Sequence, residues 1–135
     1  MKPVIDLSKE YGLVLDGGGA RGAYQIGAWK ALTEAGVKIN AVAGTSVGAL
    51  NGALICMGDI GKAEKIWNEM TFSRVMDVDD EWMEGLFQKQ TSIREFLNEG
   101  WKRLKEGGVD ITPLRNLIHE TVDEEAIRNC GKEFC

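Results

Sequence analysis

Residues 37–58 read Val-Lys-Ile-Asn-Ala-Val-Ala-Gly-Thr-Ser-Val-Gly-Ala-Leu-Asn-Gly-Ala-Leu-Ile-Cys-Met-Gly. The first part, Val37 to Thr45, reads as a strand. Ala41, Val42 and Ala43 are apolar without alternation, as in a parallel-sheet strand covered on both faces. Val47 to Met57 reads as a helix of small residues that ends at Gly58. Between them Gly44-Thr45-Ser46-Val47-Gly48 is a G-x-S-x-G at a strand-to-helix junction. A sharp turn there strains the serine backbone and lifts the hydroxyl out of the sheet, while the glycines let neighbouring backbone pass without a Cβ clash. The helix N-terminus beneath Ser46 favours developing negative charge. The same pentapeptide also reads as an ordinary glycine-rich turn with a capping serine.

Upstream, Tyr11 to Leu15 reads as a short buried strand running into Asp16-Gly17-Gly18-Gly19-Ala20-Arg21-Gly22. Three consecutive glycines expose backbone N–H groups with no side chain in the way, an array suited to an oxyanion. Arg21 adds a positive charge at the loop's exit, or simply pairs with Asp16. Gly22 to Ala35 reads as a helix with an apolar stripe of Ala23, Ile26, Ala28, Trp29, Leu32 and Ala35, closed by Gly36. Gly17, Gly19 and Gly22 also fit G-x-G-x-x-G, the dinucleotide fingerprint. That reading needs a carboxylate at the end of the second strand to hold a ribose. Here Asn40 lies ahead of the apolar run, and the strand enters Thr45-Ser46 without an acid. A dinucleotide- or phosphate-binding module using Gly17 to Gly22 stays as the alternative.

Downstream, Asp59 is a candidate cap for a helix carrying Ala63, Ile66, Trp67 and Met70. Ser92 and Glu95 form a capping box for a helix with Ile93, Phe96, Leu97, Trp101 and Leu104 on one face. Gly107-Gly108 ends it. Thr112-Pro113 starts a short helix with proline at its first position. Thr121 with Glu124 starts another, and Lys132 to Cys135 begins a strand. Trp82, Met83, Leu86 and Phe87 sit among acids, either as a packed helix face or as a lid that meets lipid. The order of strands and helices is that of an α/β protein.

Together, D-G-G-G-A-R-G after the first strand and G-T-S-V-G after the second resemble the patatin-like phospholipase family, over about residues 10–70. The resemblance implies a three-layer α/β/α fold, here cut short after the second or third strand of the sheet, within a single partial domain spanning 1–135. It implies Ser46 as nucleophile, Gly44, Thr45, Val47 and Gly48 as its elbow, and Gly17, Gly18, Gly19 and Arg21 as oxyanion hole. It further implies a Ser-Asp dyad acting on carboxylic esters of lipids, with neither metal nor cofactor. The family's aspartate stands in D-G-[GA]. No aspartate after Ser46 does so: Asp59 is followed by Ile60, and Asp77, Asp79, Asp80, Asp110 and Asp123 have no glycine next to them. The catalytic Asp is therefore expected outside this chain, and these residues alone are expected to be inactive. A catalytically silent lipid-binding scaffold is the other reading. His119, the only histidine, lies near the end of an expected helix and reads as a surface residue rather than a triad base.

Composition fits these expectations. The chain has 135 residues, 44% of them apolar, enough for one packed core. Nine of its 17 glycines cluster at 17–22, 44–52 and 58–61, where backbone must turn or pass close to a neighbour. A net charge of −5 argues against nucleic acid and against electrostatic docking on anionic lipid. It leaves a neutral or zwitterionic lipid, and transient contact with a membrane or micelle surface, open. Cys56, Cys130 and Cys135 form no C-x-x-C pair, so zinc and dithiol chemistry find no support. Cys56 is expected as a buried thiol in a reducing compartment. With neither a leader-like N-terminus nor an apolar run of ~20 residues, the expected location is the cytoplasm.

Overall fold

The computed structural model describes residues 5–76 and 110–135. They belong to two compact units, one of residues up to 68 with 122–135, the other of residues 69–121. In the first unit β1 (Glu10–Leu15) leads through a 3₁₀ turn (Gly19–Arg21) into α1 (Gly22–Glu34). Then come β2 (Lys38–Gly44), α2 (Val47–Met57) and α3 (Ile60–Asn68). In the second unit α4 spans Thr112–Thr121; α5 (Glu124–Arg128) and β3 (Glu133–Phe134) complete the first.

The three strands form a parallel sheet in the order β1-β2-β3. Lys132 to Cys135 does hold a strand: Cys135 N–H donates to Val42 O at 3.1 Å and Gly44 N–H to Cys135 O at 3.0 Å. Between β1 and β2 the register slips, with Tyr11 opposite Ile39 but Gly12 opposite Ala41. Asn40 is thus an extra residue, a bulge that restarts the pleat. It lets Ile39 and Val42, three apart, both turn toward the helices, and both pack in or against the core. This is why the strand shows no plain alternation.

Coverage of both sheet faces, expected from that pattern, is not found among the described residues. Leu13 and Leu15 face the core, whereas Gly12 is exposed and Val14 is 82% exposed. Topology explains it. Right-handed crossovers between neighbouring parallel strands taken in sequence put their helices on the same face. Helix α2 lies on β2 and β1, and α1, α3 and α5 pack around α2. The α/β class and the parallel sheet stand; the described helices supply one of the two outer layers.

Helix α2 is the centre of the core, with residues 51 to 56 all buried. Ile55, with Leu15, Ile26, Trp29, Val42, Leu54, Cys56 and Ala63, makes one continuous cluster. Burying one such side chain contributes roughly 1.5–3 kcal/mol. Close approach depends on Gly52, where a Cβ would stand 2.6 Å from the Phe134 ring.

Helix α1 ends as expected. Gly36, at φ 77°, donates to Thr33 O and Val37 donates to Leu32 O, each at 3.0 Å. This is a Schellman motif. Its stripe is narrower than the apolar residues suggest: Ile26 and Trp29 are buried, while Ala23 and Ala35 are exposed. Asp59 caps α3, its carboxylate accepting from Lys62 N–H at 2.8 Å.

Helix α4 starts at Thr112 as expected, and Asp110 just before it accepts from both the Thr112 N–H and hydroxyl, at 2.8 and 2.6 Å. One boundary differs from expectation. Helix α5 is capped by Asp123, which accepts from Ala126 N–H at 3.0 Å, because Thr121 still belongs to α4 and bonds back to Leu117 O. A carboxylate three residues before a free amide outcompetes a hydroxyl already engaged in the preceding helix. The expected Ser92–Glu95 helix with its apolar stripe and the Trp82–Phe87 segment lie outside the described residues.

Candidate active site

Ser46 is the one non-glycine residue with positive φ among the described residues, at φ 52° and ψ −125°. A side chain held there costs roughly 1–3 kcal/mol and persists only where its surroundings impose it. Thr45 N–H stays bonded to Leu15 O at 3.1 Å, so β2 remains paired to β1 to its last residue. Immediately beyond, Gly48 N–H donates to Thr45 O at 2.8 Å and Ala49 N–H to Ser46 O at 2.9 Å, so α2 has already begun. Ser46 absorbs the whole change of direction. It occupies the cap position of α2, yet its side chain makes no capping bond. The ordinary capping-serine reading therefore fails, and the residue is exposed.

Both flanking glycines are required by contact. At Gly44 a Cβ would lie 2.3 Å from Gly48 O, inside the turn itself. At Gly48 it would lie 2.4 Å from Leu15 O, where α2 crosses the end of β1. The elbow is thus wedged between its own helix and the neighbouring strand.

The glycine loop lies beside it. A Cβ on Gly17 would stand 3.4 Å from the Ser46 Cβ. Gly18 and Gly19 take φ of 151° and 56°, conformations that suit glycine. Gly17 N–H donates to the Asp16 carboxylate at 2.8 Å, so that amide is already engaged. The amides of Gly18 and Gly19 have no acceptor among the described residues. Arg21 N–H donates to Gly18 O at 3.2 Å, and the Arg21 stem lies against Gly18. The Arg21–Asp16 ion pair weighed from the sequence is not formed.

Comparison with known proteins agrees with this geometry. The family model described as patatin-like phospholipase matches residues 13–134. The chain belongs to the patatin-like phospholipase family. A stretch of 46 residues, 34% of this chain, is 61% identical to the lysophospholipase nte1 of Aspergillus terreus and covers 3% of that protein. Another of 45 residues, 33% of the chain, is 64% identical to the neuropathy target esterase sws of Drosophila persimilis, again 3% of its length. The same identity over 45 residues holds for the sws protein of Drosophila willistoni. The match therefore spans only a small part of these relatives. No solved structure matches the chain.

In this patatin-like chain a third element of the site escaped the sequence reading. Asn51, on α2 one turn past Ser46, is 1% exposed. Its side-chain amide donates to Gly22 O at 2.9 Å and to Gln25 Oε1 at 2.8 Å, and its oxygen accepts from Trp67 Nε1 at 2.8 Å. Gln25 Nε2 in turn donates to Asp16 O at 2.6 Å, at the root of the glycine loop. The available signal was an asparagine inside an otherwise apolar helix, since a buried amide demands partners.

The remaining candidates lie elsewhere. Asn40 donates to Glu10 at 3.0 Å, at the start of the strands and away from the loop end of β2, where Gly44-Thr45-Ser46 carries no carboxylate. His119 is exposed on the last turn of α4, in the second unit. Cys56 is 3% exposed, and burial, with a hydrogen bond to Cys130, pushes its thiol up to about 11. Such a thiol is an inert core residue rather than a nucleophile.

Proposed function

We propose that this chain carries the nucleophile and oxyanion-binding parts of a serine acyl hydrolase that cleaves carboxylic ester bonds of lipids. The observation that carries this reading is the Ser46 backbone, held at positive φ with an exposed, uncapped side chain beside the glycine loop. Strain of that kind is maintained for presentation of a side chain, not for stability. Family membership supports the same chemistry, as do relatives named for lysophospholipase and esterase activity.

In the proposed reaction Ser46 Oγ attacks the ester carbonyl as its proton passes to a base. The carbonyl oxygen becomes an oxyanion facing the amides of Gly18 and Gly19, which have no acceptor among the described residues, with the Arg21 charge nearby. Collapse breaks the ester C–O bond, the alcohol leaves with a proton, and water then releases the fatty acid from Ser46. The base is an aspartate, as the family pattern implies. No aspartate after Ser46 stands in the D-G-[GA] setting, so these residues alone are expected not to turn over esters. A serine hydroxyl without its base is a weak nucleophile. The substrate is met at a micelle or membrane surface. Among the described residues no helix is long and apolar enough to cross a membrane.

The test is fatty-acid release from lysophosphatidylcholine micelles by the full-length reading frame containing these residues. Ser46→Ala is expected to lower kcat by ~10³-fold or more. Undiminished release would end the proposal. Tight NAD binding indifferent to Ser46→Ala would return the glycine loop to the dinucleotide reading.

A further inference from the structure

We propose that Asn51 and Gln25 are positioning residues that hold the glycine loop against the Ser46 elbow, an inference that rests on the acyl-hydrolase reading above. Neither touches the reacting atoms. Their importance lies in the path they form: Trp67, Asn51, Gln25, Asp16, Gly17, ending where Gly17 meets Ser46.

The path has only one workable polarity. The Trp67 indole N–H can only donate, so the Asn51 atom facing it is the oxygen. The Asn51 nitrogen is then turned to Gly22 O and to Gln25, whose facing atom must accept and is therefore Oε1. That leaves Gln25 Nε2 for Asp16 O, a carbonyl that can only accept. Flipping either amide sets donor against donor or acceptor against acceptor. At its buried end, where Asn51 is 1% exposed, the single satisfied arrangement is stiff, because every alternative leaves a desolvated polar group unpaired. From there the path runs through half-buried Gln25 to the exposed Asp16.

Packing adds to the same constraint. A Cβ on Gly22 would lie 2.5 Å from the Trp67 ring and 2.7 Å from Val47 Cγ2. The start of α1 is thus pressed onto the residue that follows the nucleophile, and Asn51 ties it there through Gly22 O. Loop and elbow come from different strand–helix junctions, and no direct hydrogen bond joins Gly17, Gly18 or Gly19 to residues 44–48. Beside the Thr45–Leu15 bond at the strand ends and the contact at Gly17, this path holds the amides of Gly18 and Gly19 relative to Ser46.

The test uses two variants of the full-length reading frame. Gln25→Met keeps the side-chain length and deletes both bonds. Asn51→Asp keeps the Trp67 bond and turns an acceptor toward Gly22 O and Gln25. Gln25→Met is expected to lower kcat at least ~10-fold with KM within about threefold, since misplacement by an ångström is felt in the chemical step. The Gly17 amide, read by hydrogen exchange, is expected to exchange about tenfold faster, while residues 51–56 keep their protection. Asn51→Asp is expected to do the same more strongly. If it does not fold, Gln25→Met decides alone. A lower melting temperature with kcat and Gly17 exchange unchanged would overturn the proposal, leaving the path a purely structural one. Wild-type turnover independent of Ser46 would sink the acyl-hydrolase reading instead, and Gly17 exchange would still show whether the path holds the loop.

Discussion

Replacing Ser46 by glycine is expected to make the protein more stable. Ser46 sits at φ 52° and ψ −125°, where a Cβ is disfavoured, and its side chain makes no capping bond to offset this. Relief of the strain contributes roughly 1–3 kcal/mol. Against it stands the greater freedom of glycine in the unfolded chain, about 0.4–1 kcal/mol. The net gain is about 1 kcal/mol, a rise in melting temperature of roughly 3–5 °C for a domain of this size. Ser46→Ala is the control. It keeps the Cβ and removes only an exposed hydroxyl, so its stability is expected within ~0.5 kcal/mol of wild type. Urea unfolding of the three proteins, compared at their midpoints, separates the contributions. If Ser46→Gly proved less stable than Ser46→Ala, the serine backbone would not be strained, and presentation of a nucleophile would lose its physical basis.

Three further outcomes follow from close contacts and burial. Gly44→Ala would push a methyl group to 2.3 Å from Gly48 O. It is expected to destabilise the fold by ~2 kcal/mol or more in urea unfolding, since backbone on both sides must move. Gly36→Ala, at φ 77° but with nothing within 4 Å of the new methyl, is expected to lose only the left-handed preference, roughly 1–2 kcal/mol in the same measurement. The Cys56 thiol stands at about 11 in the folded protein against 9.0 ordinarily, so its contribution to stability is complete below pH 9 and is lost as pH rises toward 11. Stability measured from pH 8 to 11 should fall in wild type, and less steeply in Cys56→Ala.

Much of this site was legible in the sequence because its residues are tied to backbone geometry. The glycines of G-T-S-V-G are dictated by the turn, and Gly44 and Gly48 indeed leave no room for a side chain. The G-G-G run likewise marked a loop with unusual φ values. What stayed hidden depended on partners far along the chain. The apolar run Ala41-Val42-Ala43 looked like a strand buried on both faces, and only the bulge at Asn40 shows how it presents one face to the helices. Thr121 and Glu124 spelled a capping box, but Thr121 was already spent on Leu117 O. Asn51 gave a visible clue, yet its partners lie 26 and 16 residues away in Gln25 and Trp67, a pairing that no local pattern encodes.

The central claim is that Ser46 is the nucleophile, and the most direct measurement is to find what it attacks. The full-length reading frame would be treated with a fluorophosphonate, digested with trypsin and sequenced by mass spectrometry. Cleavage after Lys38 and Lys62 releases residues 39–62, in which Ser46 is the only serine. The account expects one phosphonyl adduct on that peptide, at Ser46, absent from Ser46→Ala. An adduct elsewhere, or none on folded protein that still hydrolyses lipid esters, would contradict it.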